Sequence, residues 1–145
     1  MSKSNAFETA FLSHLFENAD IALVGDATGL RGSTTAGSLY WSLHTADPGE
    51  AGDQTTSEVT YTSYARVATA RSAAGWTVSG NAVAVDADVT FPAGTGGSGT
   101  ATHWGLGASS SGVGLLLYKG TLSPTIVTGN GVTPRLTAGT VLTED

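Results

Sequence analysis

The segment GTATHWGLGASSSGVGLLLYKGTL, residues Gly99–Leu122, constrains the fold of this 145-residue chain more than any other. Two apolar runs, Thr100–Gly107 and Val113–Thr121, flank the small polar loop Ala108–Gly112, which is the pattern of a β-hairpin. Side chains alternate along a strand. Thr102, Trp104 and Leu106 therefore share one face of the first run, while His103, Gly105 and Gly107 leave the other nearly bare. In the second run Val113, Leu115 and Leu117 share one face, and Leu116, Tyr118 and Leu122 share the opposite one. A strand apolar on both faces needs cover from two layers, so this hairpin is the expected centre of a β-sandwich or jelly-roll core.

Upstream of it, Phe7, Phe11 and Leu15 recur every four residues with Leu12 and Phe16 beside them, the stripe of a helix. Asn5 and Glu8 have the spacing of a capping pair, and the expected helix runs from Asn5 to Ala19. Residues 25–38 are so rich in Gly, Ser and Thr that they read as a surface loop. Leu39–His44 alternates as a strand and ends at the turn Asp47-Pro48-Gly49. Glu50–Thr60, acidic and polar, reads as an exposed arm, and Tyr61–Ala70 as a second strand with Arg66 paired or exposed on its wetter face. Trp76–Val78 and Ala82–Val85 flank Ser79-Gly80-Asn81, a tight hairpin turn, and the second of these runs continues through Asp86 and Asp88 toward Phe91. Pro124–Thr128 and a closing strand from Arg135 to Leu142 follow the central hairpin. The expectation is a mainly β protein, a jelly-roll or β-sandwich of about eight strands with one N-terminal helix. Residues 1–38 would form an arm and 39–145 the β domain.

Composition excludes several functions. Without cysteine the chain holds no disulfide and no thiolate metal site. A formal charge of −6 is the wrong sign for neutralising phosphates, so no nucleic-acid partner is expected. No apolar run reaches the ~18 residues of a membrane span. The start, MSKSNAFETAF, lacks the regions of a signal peptide, so the chain is expected to stay in the compartment where it is made. Only 12% of residues are charged, against a usual share of about 25%, a surface suited to lying against other proteins.

Candidate chemistry is sparse. His14, His44 and His103 lack metal-ligand spacing and read as core or interface-edge histidines. Asp47, Glu50 and Asp53 stand at three-residue intervals but lack the ligand pattern of a calcium loop, and read as a solvated turn or contact arm. GTGGSG is followed by a strand and no Lys, unlike a phosphate cradle. No Gly-x-Ser-x-Gly elbow occurs, and Asp86 and Asp88 share one strand face instead of flanking a cleft. The aromatic residues are expected mostly in the core, with a carbohydrate platform as the competing reading. The expectation is a protein that is not an enzyme, with no metal, cofactor or small-molecule substrate. It would work through contact residues, with Phe7, Phe11, Leu15, Arg31, Asp47, Glu50 and Asp53 as candidates for contact with another protein or a second copy of the chain.

Four segments carry a family resemblance: LYWSLHTADPGEAGDQTTSEVTYTSYARVA (Leu39–Ala68), GWTVSGN (Gly75–Asn81), FPAGTGGSGTATHWGLG (Phe91–Gly107) and GLLLYKGTL (Gly114–Leu122). Together they resemble a family of small tailed-phage structural proteins, described as capsid cement or decoration proteins, whose relatives are often labelled tail-fibre proteins. The resemblance implies a virion protein made in the host bacterial cytoplasm. On that model it sits on the outer capsid surface as a homo-dimer or homo-trimer and bridges subunits of the major capsid protein. The alternative it carries is a tail-fibre or tail-tip module that binds a host receptor or glycan.

Overall fold

The computed structural model describes residues 2–144 of the chain. In chain order these form α1 (Asn5–Glu17), β1 (Ser38–His44), β2 (Val67–Ala70), β3 (Trp76–Ser79), β4 (Ala82–Val85), β5 (Val89–Thr90), β6 (Ser98–Gly107), β7 (Leu116–Gly129), β8 (Arg135–Leu136) and β9 (Val141–Thr143). One helix and nine strands among the described residues, in antiparallel sheets, make the protein mainly β as expected. They fall into two compact units. The first joins the chain up to Ser38 with Ala70–Asp88 and the residues from Thr137 onward; the second takes Leu39–Thr69 and Val89–Leu136.

In the first unit, α1 begins at an N-cap one residue before the expected Asn5. The Ser4 hydroxyl accepts from the Phe7 amide at 3.4 Å, while Asn5 is the first helical residue. The helix ends at Asn18, whose φ of 60° is a left-handed conformation that Asn tolerates better than most residues. Its buried row is Glu8, Leu12 and Phe16, offset by one from the expected stripe. Phe7 is exposed, Phe11 and Leu15 are half-buried, and the Phe7 and Phe11 rings stand 6.4 Å apart. The offset arises because Leu12 and Phe16 reach the sheet β3-β4-β9, where the Phe16 ring meets Trp76 edge-on at 4.7 Å. Arg71 fixes the other end of the helix, donating to the carbonyls of Leu15 at 2.6 Å, His14 at 2.7 Å and Ala36 at 3.1 Å. A cation at a helix C-terminus satisfies otherwise unpaired carbonyls and the helix dipole together. This helix is thus packed on its own sheet and is not a free arm. The hairpin β3–β4 turns through Gly80-Asn81 with Ser79 opposite Ala82, as its sequence predicts.

In the second unit a four-stranded sheet runs in the order β2-β1-β6-β7. Trp41 pairs with Leu106 and Leu43 with Trp104 across β1 and β6, which puts β6 inside the sheet as expected. β7 departs from expectation: it is the edge strand, most of it is half-buried or exposed, and it continues past Thr121 to Gly129. Residues 122–125 stand opposite Thr102 alone, where the ladder shifts register between Ala101 and His103. Pro124 lies in this bulge because it has no N–H to give a ladder.

Four further expectations are corrected. Tyr61–Ala70 is a strand only from Val67, since Tyr64 and Arg66 turn inward toward Glu58. Glu50–Thr60 is no exposed arm: Gln54 and Val59 are buried, and the Val59 amide bonds Leu43 O at 2.9 Å. The closing strand divides into β8 and β9 at a turn where the Thr140 amide bonds Thr137 O and Gly139 has a φ of 78°. By the same token Asp86 and Asp88 lie outside any strand, between β4 and β5.

Leu12→Ala is expected to destabilise the protein by about 2–5 kcal/mol, because it opens a cavity under the helix. Phe7→Ala should cost less than about 1 kcal/mol. Denaturant melts of both variants check the assignment, and equal losses would contradict the offset of the buried row.

Candidate functional site

The 108–115 loop leaves β6 beyond Gly107, the segment 45–66 starts beyond His44 at the opposite end of β1 and reaches across to it, and polar side chains lock the two together. The bare face of β6 explains why. At Gly107, and at Gly114 in the loop beyond, a Cβ would overlap the Gln54 side chain, so this fully buried amide occupies the space that the glycines leave. Its Oε1 accepts from the Ser109 amide at 2.9 Å, and its Nε2 donates to Tyr40 O at 3.4 Å. The backbone N–H of Gln54 donates to Gly114 O at 3.1 Å. Sequence shows the empty face but not the side chain that fills it, which comes from a distant loop.

Arg66 makes the second lock. Its side chain is 2% exposed, and it donates Nε–H to Glu58 Oε1 at 2.7 Å and Nη2–H to Glu58 Oε2 at 2.8 Å. Its remaining bonds go to the carbonyls of Ser109 at 3.0 Å and Gly112 at 2.9 Å. The Tyr64 hydroxyl donates to Glu58 Oε1 at 2.8 Å and accepts from the Leu43 amide at 3.1 Å. Burial pushes the Tyr64 hydroxyl well above the ordinary phenol range, and the Glu58 carboxylate holds the guanidinium more firmly protonated. A pocket of about 220 Å³ opens beside this group, lined by Glu58, Tyr64, Ala65, Arg66, Ser110, Ser111 and Gly112. The ionic groups on its wall are already bonded within the chain, so the arrangement fixes a loop more readily than it recognises a small ligand.

His44 lies below the same loops, fully buried. A carbonyl can only accept, so the Nδ1–H of His44 donates to Thr56 O at 2.8 Å and its Nε2 accepts from the Ser42 hydroxyl at 2.8 Å. Desolvation holds its pKa below the ordinary 6.5. This is the core histidine that its sequence position suggests. Among the described residues no group of three or more His, Asp or Glu is placed to hold a metal ion.

The expected contact residues divide between the two units. Asp47, Glu50 and Asp53 all lie on the 45–66 loop. Asp47 accepts from the Gly49 amide at 2.9 Å and pairs with Lys119 at 2.9 Å, and these bonds, the amide first, lower its pKa. Glu50 meets the same ammonium at 3.3 Å. Asp53 caps a turn through the hydroxyl and amide of Thr55, which lower its pKa too. Phe7, Phe11, Leu15 and Arg31 belong to the unit that holds α1; Arg31 pairs with Asp20 at 3.1 Å. The 108–115 loop in turn displays Val113 and Leu115, which are 77% and 68% exposed, where alternation predicts a covered strand.

The shift of His44 has a defined sign. Its buried neutral form takes a proton less readily than the unfolded chain does, so stability should fall as pH drops below about 6.5 and stay level above it. Thermal melts across pH 7 to 5 check this, with His44→Gln expected to flatten the slope. An unchanged slope in the variant would contradict the assignment.

No curated protein matches this chain. The family described as Podophage GP4 fiber I protein gp80 has a model that matches residues 2–143. That span includes both units, the pinned loops and all the expected contact residues, and the chain belongs to this family of phage fibre proteins.

Proposed function

We propose that this chain is a non-enzymatic module of a phage tail fibre or tail tip that works by surface contact with a host receptor or glycan. The observation that carries the reading is the match of nearly the whole chain to a fibre family, membership of which makes it a structural part of the virion. The antiparallel β scaffold and internally bonded loops support it, because a contact surface held rigid before binding loses less entropy on binding. On this reading the chain needs no cofactor, metal or nucleic acid.

The capsid-cement reading, a clamp on the outer capsid surface bridging major capsid subunits, draws on the low share of charged residues. It has less support than the fibre reading, since the matching family is described as a fibre protein.

An adsorption assay separates the two. Purified chain added in excess is expected to slow adsorption of the parent phage to its host at least about threefold, and a change of that size in apparent affinity is well within reach of surface contact. Unchanged adsorption, together with a raised melting temperature of capsids incubated with the chain, would overturn the fibre reading in favour of cement.

A further inference from the structure

Asparagine followed by glycine is the peptide pair that loses its side-chain amide most readily, because glycine has no Cβ to keep its nitrogen from the neighbouring Cγ. The chain has four asparagines: Asn5, Asn18 and Asn81 precede alanine, and Asn130 precedes Gly131. The reaction needs no enzyme. The Gly131 nitrogen gives up its proton and bonds to the Asn130 Cγ, the side-chain nitrogen leaves with a proton as ammonia, and a cyclic imide remains. Water then opens the imide at either carbonyl, giving aspartate or isoaspartate, whose backbone is longer by a methylene.

The turn between β7 and β8 holds the reacting atoms apart. Asn130 and Gly131 are both exposed, so water reaches them. The Val132 amide donates to Gly129 O at 3.1 Å across the pair, and of the two residues Gly131 alone has a positive φ, 76°. These are the marks of a type II turn, in which the first central residue has a ψ of about +120°. Ring closure needs the Gly131 nitrogen to eclipse the Asn130 Cβ, and that ψ keeps it about 120° from the eclipsed position.

The attacking N–H is also occupied. Gly131 donates it to Gly94 O at 2.8 Å, and the Gly94 amide donates in return to Val132 O at 2.8 Å. A hydrogen bond made by the neutral N–H opposes its deprotonation. The approach is close because Gly94 has no side chain, and a Cβ there would overlap Gly129 O. Tyr61 anchors this segment: it is buried, and its hydroxyl donates to Pro92 O at 2.8 Å.

We propose that Asn130 is a latent modification site, kept as an amide by the Gly94 carbonyl and converted to aspartate or isoaspartate when the segment 92–94 and the turn part. Either product adds a negative charge to a chain already at −6. Isoaspartate also lengthens a turn whose backbone lies directly against Gly94, so the reciprocal pair of bonds does not re-form in the same register. Asn130 thus keeps a permanent record of each opening, whatever surface the protein contacts.

Mass spectrometry and isoaspartate-specific methylation of the full chain, aged at mildly alkaline pH, test this. Conversion at Asn130 in the folded protein should be at least about tenfold slower than in the same chain unfolded in guanidinium, because it proceeds through the open fraction alone. The Gly131 amide of fresh protein should be protected from hydrogen exchange, as its bond to Gly94 O requires. Gly94→Ala, which forces the segment off Gly129 O, should speed conversion in the folded chain at least about threefold. Where melting curves show that this variant does not fold, Tyr61→Phe takes its place, keeping the ring, removing the bond to Pro92 and shifting the rate in the same direction. Conversion of folded wild type at the unfolded rate, a Gly131 amide that exchanges freely, or a folded variant that converts no faster would each overturn the assignment.

Discussion

A guanidinium taken out of water must have its hydrogen bonds met, and the loop end of this protein is organised by that requirement. Arg66 is almost wholly buried, and its donors go to both oxygens of Glu58 and to two carbonyls of the 108–115 loop. Removing one partner of a buried pair typically costs about 3–5 kcal/mol, because the other charge is left unmet. The loop is thus tied to the interior by a group that has no cheaper place to go. Gln54 adds an uncharged version of the same device from the neighbouring segment. With both in place, a Gly- and Ser-rich stretch that would otherwise be mobile holds Val113 and Leu115 in the solvent.

The legible parts of the fold were those where local pattern and tertiary setting agree. Leu39–His44, the Gly80-Asn81 hairpin and the bare face of β6 can each be read from alternation and turn residues. The misreadings share a cause: a side chain that reaches a distant segment. Tyr64 and Arg66 look like strand residues by alternation, yet Glu58 draws them inward. Glu50–Thr60 looks like an arm by polarity, yet Gln54 fills the space over two glycines. On the helix, Phe7, Phe11 and Leu15 form the larger stripe, yet Leu12 and Phe16 are the residues that meet the sheet. Hydrophobic periodicity gives the element but not the side that finds a neighbour. Asp47, Glu50 and Asp53 fall on the 45–66 segment that their spacing marks as a turn, while Val113 and Leu115, which alternation places within a covered strand, stand exposed in the 108–115 loop.

These physical features suit a fibre protein. Charge is scarce, and several cations are bound to carboxylates or carbonyls within the chain. The long edge strand β7 is interrupted by a bulge at Pro124, and its Lys119 turns to Asp47 and Glu50. Proline and bulges are known protections of a sheet edge against uncontrolled pairing.

Amide hydrogen exchange in Arg66→Met tests most directly whether buried charge holds the loop. In the wild-type protein the amides of Ala108 and Ser109, bonded to Leu115 O and Gln54 Oε1, should be protected almost as well as those of β6. The variant should lose that protection in the loop by at least about tenfold while β6 keeps its own, the signature of local opening. Loop amides that exchange freely in the wild type, or stay protected in Arg66→Met, would contradict the account.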